Sequence, residues 1–173
     1  VDVKELKRLR DKFTKQCDDF REEIHELAGE EFNVNSTKQL REILFEKLDL
    51  TPGKKTKTGY STDAATPEKL KGSHPIIEKL LAYREVEKLR STYGEGLLAS
   101  VDDDHRIRAT FHQTVTRTGR LSSDAPNLHN IPIRTDAGKA FRKAFIPREG
   151  SSLLVADYNQ IELRCIAHLA DEN

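Results

Sequence analysis

Val3, Leu6, Leu9, Phe13, Cys17, Phe20, Ile24 and Leu27 follow one another at steps of three and four. That spacing puts them on one apolar stripe of a single long amphipathic helix, which Ala28-Gly29 ends. A stripe of that length must be covered along its whole extent, by a second element of the chain or by a partner.

The rest of the first hundred residues offers such an element. Ser36 to Gln39 has the spacing of a capping box, and Leu40, Ile43, Leu44 and Leu48 stripe the helix it opens. Asn35-Ser36-Thr37 also matches a glycosylation sequon, but the cap explains the same residues more simply. Pro52-Gly53 stops this helix, and KKTKTGYSTDAATP reads as a long exposed loop with Lys54, Lys55 and Lys57 at its near end. Thr66-Pro67 can start a short helix. Pro75 opens a third long one, carrying Ile76, Ile77, Leu80, Leu81, Val86, Leu89 and Tyr93. The two long striped helices are expected to pack as an antiparallel pair.

Near residue 99 the texture changes. VDDDHRIRATFHQTV reads as a turn and then an alternating strand, with Asp102, Asp103, Asp104 and His105 making a hairpin turn rather than a metal cluster. Residues 116–134 are polar and irregular, Lys139 to Phe145 suggests a short helix, Ser152 to Asp157 a strand, and Gln160 to Ala170 a helix. Helices followed by strands imply an α+β fold. The chain has 29 basic and 29 acidic residues, yet His105 to Arg148 holds nine Arg or Lys against two Asp, a local excess of seven. Such a segment is either a footprint for phosphates or a solvated face. At 173 residues the chain suffices for one compact domain or two small subdomains. It has no run of about 18 apolar residues to span a bilayer and no secretory signal, so a cytoplasmic protein is expected. Cys17 and Cys165 both lie in apolar helical patterns and are expected as reduced core thiols.

The chemistry concentrates in LLVADYNQIELRCIAHLA, residues 153–170. Apolar residues lead to Asp157, and an otherwise apolar helix then contains Glu162 and Arg164. Asp157 and Gln160 have capping-box spacing, so Asp157 could simply be an N-cap. A carboxylate at the tip of a buried strand is also a common way to hold a divalent cation against a phosphate. Glu162 and Arg164 fit the capping account less well, because a buried charge is costly unless paired or used.

DYNQIELR closely resembles the first palm motif of the family A DNA polymerases, the DNA polymerase I type, whose usual form is DYSQIELR. TGRLSSDAPNLHNIPIRT, residues 118–135, is similar to that family's TGRLSS…PNLQNIPVR segment, and KAFRKAFIP follows in the matching place. Upstream, the long helix, the KTKTGYST loop and KLRSTYGEGLL resemble the same polymerases' thumb. The likeness covers nearly the whole chain. It implies a helical thumb subdomain over residues 1–99, followed by part of an antiparallel-sheet palm over 100–173.

The implied activity is DNA-directed DNA polymerase: template-directed nucleotidyl transfer from a deoxynucleoside triphosphate to a primer 3′-hydroxyl, serving DNA replication and repair. The resemblance gives Asp157 two Mg²⁺ ions to bridge, with the carbonyl of Tyr158 as a further ligand. It sets Glu162 beside the incoming sugar, where it excludes a ribose 2′-hydroxyl, and Gln160 in the same pocket. Arg120 would reach the minor groove at the primer end. Arg134 would help hold triphosphate, Asn127 and Asn130 DNA, and Lys54, Lys55 and Lys57 backbone phosphates. Two departures stand out: Asn159 replaces the usual Ser, and His129 the usual Gln, which puts a DNA contact there in doubt. In the family the partner carboxylate comes from a later HDE-type turn, and a fingers helix also lies downstream. The chain is therefore expected to be a fragment, inactive without the rest of the polymerase chain. The rival reading is a non-catalytic module that grips duplex DNA. A small metal-dependent hydrolase would need a second carboxylate at a suitable spacing, which the sequence lacks.

Overall fold

The computed structural model describes residues 1–51, 55–56, 59–60, 67 and 70–170, with 55–56 and 59–60 described by backbone alone. The fold is α+β: mostly helix, with small two-stranded antiparallel ladders. Helix α1 runs Val3–Ala28. The Asp2 side chain accepts from the Glu5 amide at 3.0 Å, satisfying one orphan donor at the start. Gly29, at φ +73°, ends the helix by donating its amide to the His25 and Glu26 carbonyls. Helix α2, Thr37–Arg41, is capped by Ser36 as expected. The Gln39 side chain returns to the amide of Asn33 rather than to that of Ser36. The helix continues through Glu42–Lys47 in wider turns, Leu48 donating to Ile43 five residues back.

Strands β1, Lys55–Thr56, and β2, Gly59–Tyr60, pair antiparallel inside the segment expected as a loop. Lys54, Lys57 and Thr66 fall outside the described residues, as does the side chain of Lys55. Helix α3 spans Pro75–Lys88, with Pro75 in the first turn and His74 Nδ1 accepting from the Ile76 amide. It continues in wide turns over Leu89–Glu95 and closes as α4, Gly96–Ala99.

Helices α1 and α3 form the expected antiparallel pair. Cys17, Ile24 and Ala28, late in α1, pack with Ile76, Ile77, Leu80 and Tyr83, early in α3. Leu6, Leu9 and Phe13, early in α1, pack with Leu89, Tyr93 and Leu97. This second cluster also takes in Ile131, Phe141 and Ala144, so the later part of the chain rests on the same helix pair. The Asp2 amide donates to the Ala144 carbonyl at 2.8 Å on the same seam. Among the described residues no helix is long and apolar enough to cross a membrane.

A polar trio lies along the seam. Arg90 grips Glu87 with two hydrogen bonds of 2.8 Å, and the Cys17 thiol donates to the same carboxylate at 3.3 Å. Burial, reinforced by Glu87, pushes the Cys17 thiol up to about 12. The Arg90 hydrogen bonds hold the Glu87 carboxyl below its ordinary range. A carboxyl lowered in the fold adds stability above its unfolded value near pH ~4.3, and that stability is lost as pH falls through the folded value. Glu87→Gln should therefore destabilise the chain at pH 7 by about 1–2 kcal/mol. The gap between the two proteins should shrink in acid, as urea midpoints at both pH values will show. A gap independent of pH would mean that the charge of Glu87 contributes nothing.

Cys165 departs from expectation: Cys17 is buried, but Cys165 is exposed. The whole of residues 151–170 is exposed, so the apolar pattern around Cys165 does not bury it.

Candidate active site

The site is assembled from two segments far apart in sequence. The first begins with strands β3, Thr110–His112, and β4, Ser122–Asp124, an antiparallel pair in which Phe111 faces Ser123. The expected long strand after the Asp turn is limited to these three residues. Val101 bridges Ile107 across the hairpin turn, and Arg108 binds both Asp102 and Asp104, the latter at 2.6 Å. These pairs hold the Asp104 carboxyl below its ordinary range, Arg108 being the main cause. Two of the three acids in the turn are thus paired with arginine, and part of the basic excess is answered on the spot.

Between β3 and β4 the chain makes a tight loop. Gly119 adopts φ +75°, and the Thr116 hydroxyl donates to the Arg120 carbonyl. Arg120 is presented into solvent on this loop, two residues before β4. After β4, buried Ser123 organises the next turn: its hydroxyl donates to the Pro126 carbonyl and accepts from the Leu128 amide, both at 3.2 Å. Asn127 uses its side-chain oxygen to cap the short helical turn Leu128–Asn130, accepting from the His129 amide at 3.1 Å. Asn130 receives the Tyr93 hydroxyl on its carbonyl, while its side chain is exposed. His129 is exposed and its ring lies 5.6 Å from that of Phe111.

Three residues not singled out in the sequence belong to this frame. Lys88 and Thr92 line a cleft of about 400 Å³ with Tyr93, Asn127 and Asn130. Their spacing of four on the polar side of the third helix was the available signal. Arg142, on helix α5 (Asp136–Lys143), donates to the carbonyls of Ile131 and Pro132 at 3.0 and 3.3 Å and so braces the chain just before exposed Arg134.

The second segment contains Asp157. Residues 151–158 form no strand. The expected strand Ser152–Asp157 is absent, and Leu154 and Val155 are 94% and 88% exposed. A strand is held by its neighbour's hydrogen bonds, and no described strand pairs with this stretch. Helix α6, Ile161–Leu169, follows as expected. Gln160 stands at its cap position in the left-handed region at φ +53° and contributes no side-chain cap. That conformation is uncommon for a residue other than glycine. The capping box from Asp157 is thus not formed, and the Asp157 carboxylate has no hydrogen bond or ion pair among the described residues.

Glu162 and Arg164 are exposed, not buried in an apolar helix as the sequence suggested. Arg164 Nε donates to the Asn159 carbonyl at 3.1 Å and fastens the helix to its preceding turn. Glu162 pairs with Arg120 instead, Nη2 to Oε1 at 2.9 Å. That contact joins the two segments, bringing Arg120 and Glu162 together.

Among the described residues no three His, Cys, Asp or Glu side chains converge as a metal site. The Asp157 carboxylate and the Tyr158 carbonyl are hard oxygen donors of the kind Mg²⁺ takes, but they are a minority of the six it requires. They fit as part of a site.

The model for DNA polymerase family A matches residues 3–173. The chain is 52% identical to DNA polymerase I of Bacillus subtilis (strain 168), covering 100% of this chain and 20% of that protein. It is 55% identical to DNA polymerase I of Lactococcus lactis subsp. cremoris, covering 87% of this chain and 17% of that one. Among solved structures it resembles the POL domain of Pol1 from M. smegmatis in complex with DNA primer-template and dNTP. There the TM-score is 0.86 and the identity 46%, over 99% of this chain and 30% of that one. The chain thus spans about one fifth of the length of the curated relatives it matches.

Proposed function

The chain belongs to DNA polymerase family A, and from that premise we propose that it forms the thumb, residues 1–99, and the first part of the palm, residues 100–173, of a DNA-directed DNA polymerase. Its partners are primer-template DNA, deoxynucleoside triphosphates and the rest of the polymerase chain, and its setting is replication and repair in the cytoplasm. The observation that carries this reading is the meeting of the TGRLSS loop with the DYNQIELR helix, Arg120 on Glu162, on an exposed face beside the polypeptide that bears Asp157.

In the reaction a bond forms between the primer 3′-oxygen and the α-phosphorus, and the bond from that phosphorus to the departing pyrophosphate breaks. Asp157 and the Tyr158 carbonyl would hold Mg²⁺ through their oxygens, two ions in the complete enzyme. When bound, such ions neutralise charge on the attacking and leaving oxygens. Glu162 stands beside the incoming sugar, and Gln160 and Arg134 help hold the nucleotide. Arg120 donates to minor-groove acceptors, which every base pair presents, so it monitors pairing geometry without reading sequence. Asn127 and Asn130 contact DNA from the braced turn, and Lys54, Lys55 and Lys57 meet backbone phosphates.

Glu162→Ala in the full-length polymerase tests the nucleotide side. Its preference for deoxy- over ribonucleotides should fall at least about tenfold, since a pocket rejects an added hydroxyl only where something fills its place. A ratio that does not move would remove Glu162 from the sugar. Salt titration tests the DNA side. Changing Lys54, Lys55 and Lys57 together to Ala should flatten the slope of log affinity against log salt by about 2.7, roughly 0.9 per phosphate contact. An unchanged slope would place those lysines away from the DNA. A protein that binds primer-template normally but incorporates nothing would favour the non-catalytic DNA-binding module.

A further inference from the structure

The Arg120–Glu162 contact is made between residues 42 apart in sequence. Both side chains are largely in solvent, 73% and 65% exposed, so packing does not fix either of them. What fixes them is their backbones and each other. The Arg120 carbonyl is held by the Thr116 hydroxyl, and Glu162 sits in the first turn of α6, whose Arg164 is tied to the Asn159 carbonyl. Arg164 is thereby engaged elsewhere, and Arg120 alone grips the Glu162 carboxylate among the described residues. A glutamate without a partner samples many rotamers, whereas a guanidinium on one oxygen selects among them.

We propose that Arg120 is a positioning residue for sugar selection: by orienting the Glu162 carboxylate, it makes discrimination against a ribose 2′-hydroxyl depend on both residues. The inference rests on the reading of Glu162 as the side chain beside the incoming sugar. A side chain that excludes a hydroxyl must occupy that volume when the nucleotide arrives. One free to swing leaves the volume open part of the time.

The test is a double-mutant cycle in the full-length polymerase. It compares wild type, Arg120→Ala, Glu162→Ala and the double variant, with Arg120→Lys added. The readout is the ratio of kcat/KM for a deoxynucleotide to that for the matching ribonucleotide, which a uniform loss of DNA binding does not change. Arg120→Ala should lower the ratio about two- to five-fold, the range for an exposed ion pair. Arg120→Lys should recover part of that loss, and the double variant should discriminate no worse than Glu162→Ala alone. If Arg120→Ala slows both nucleotides equally, or the two effects multiply independently, the inference is overturned while the role of Glu162 stands. If Glu162→Ala itself leaves the ratio unchanged, the underlying reading fails and the inference with it.

Discussion

Asp157→Ala in the full-length polymerase is expected to cut nucleotide incorporation by about 10²- to 10³-fold, the scale on which removal of one preorganised charged or polar group slows an enzyme. Primer-template affinity should change less than about twofold, because DNA is held by many dispersed phosphate contacts. The structure makes this a clean experiment. The carboxylate is exposed and has no hydrogen bond or ion pair among the described residues. Among the described residues its removal therefore leaves no unsatisfied partner, and the stability of this chain should change by no more than about 0.5 kcal/mol. Lost activity could then not be ascribed to unfolding. Single-turnover incorporation, a filter-binding isotherm and a urea midpoint on one preparation decide the matter. Near-normal turnover would remove Asp157 from the reaction. Unchanged turnover with weakened DNA binding would move the residue from the chemistry to the grip.

The helices were legible because their determinants are local. The α1 stripe, the Ser36 cap, Pro75 and Gly29 all act within a turn or two, and the structure forms each of those elements. The Asp102–His105 turn was legible for the same reason, since its chemistry is contained in adjacent residues. The stretch from Ser152 to Asp157 was not. Its apolar side chains suit a strand, but a strand exists only against another strand, and that partner cannot be read from the segment itself. The same limit misplaced Cys165, whose apolar neighbours buried nothing. The wide turns after Lys88, which contain the Tyr93 bonded to Asn130, have no periodic signature either. In the candidate site, residue types were readable from motifs, but the Arg120–Glu162 contact crosses too much sequence for any spacing rule to reveal.

Gly138→Ala should lower stability by about 2–3 kcal/mol, against the direction that helix propensity alone would give. Gly138 lies in α5, where alanine would ordinarily gain about 1 kcal/mol. A Cβ built there would lie well inside contact range of the Pro132 carbonyl oxygen and 2.7 Å from both the Pro132 carbonyl carbon and its Cβ. Two of these atoms are backbone and cannot swing aside, so α5 or the Ile131–Pro132 segment must move. Neither is free. Phe141 on α5 is fully buried against Phe13 and Tyr93, and Ile131 belongs to the same cluster. Arg142 bonds the two segments together at the Ile131 and Pro132 carbonyls. Forcing bulk into such packing typically costs about 1–3 kcal/mol, and here the strain adds to disturbed hydrogen bonds. Lys139→Ala, one residue on and exposed, serves as the control and should change stability by less than about 0.5 kcal/mol. A Gly138→Ala midpoint above wild type would mean that the close approach yields at little cost. A drop in stability joined to weaker nucleotide binding would show that this seam also sets the position of Arg134, four residues upstream of the glycine.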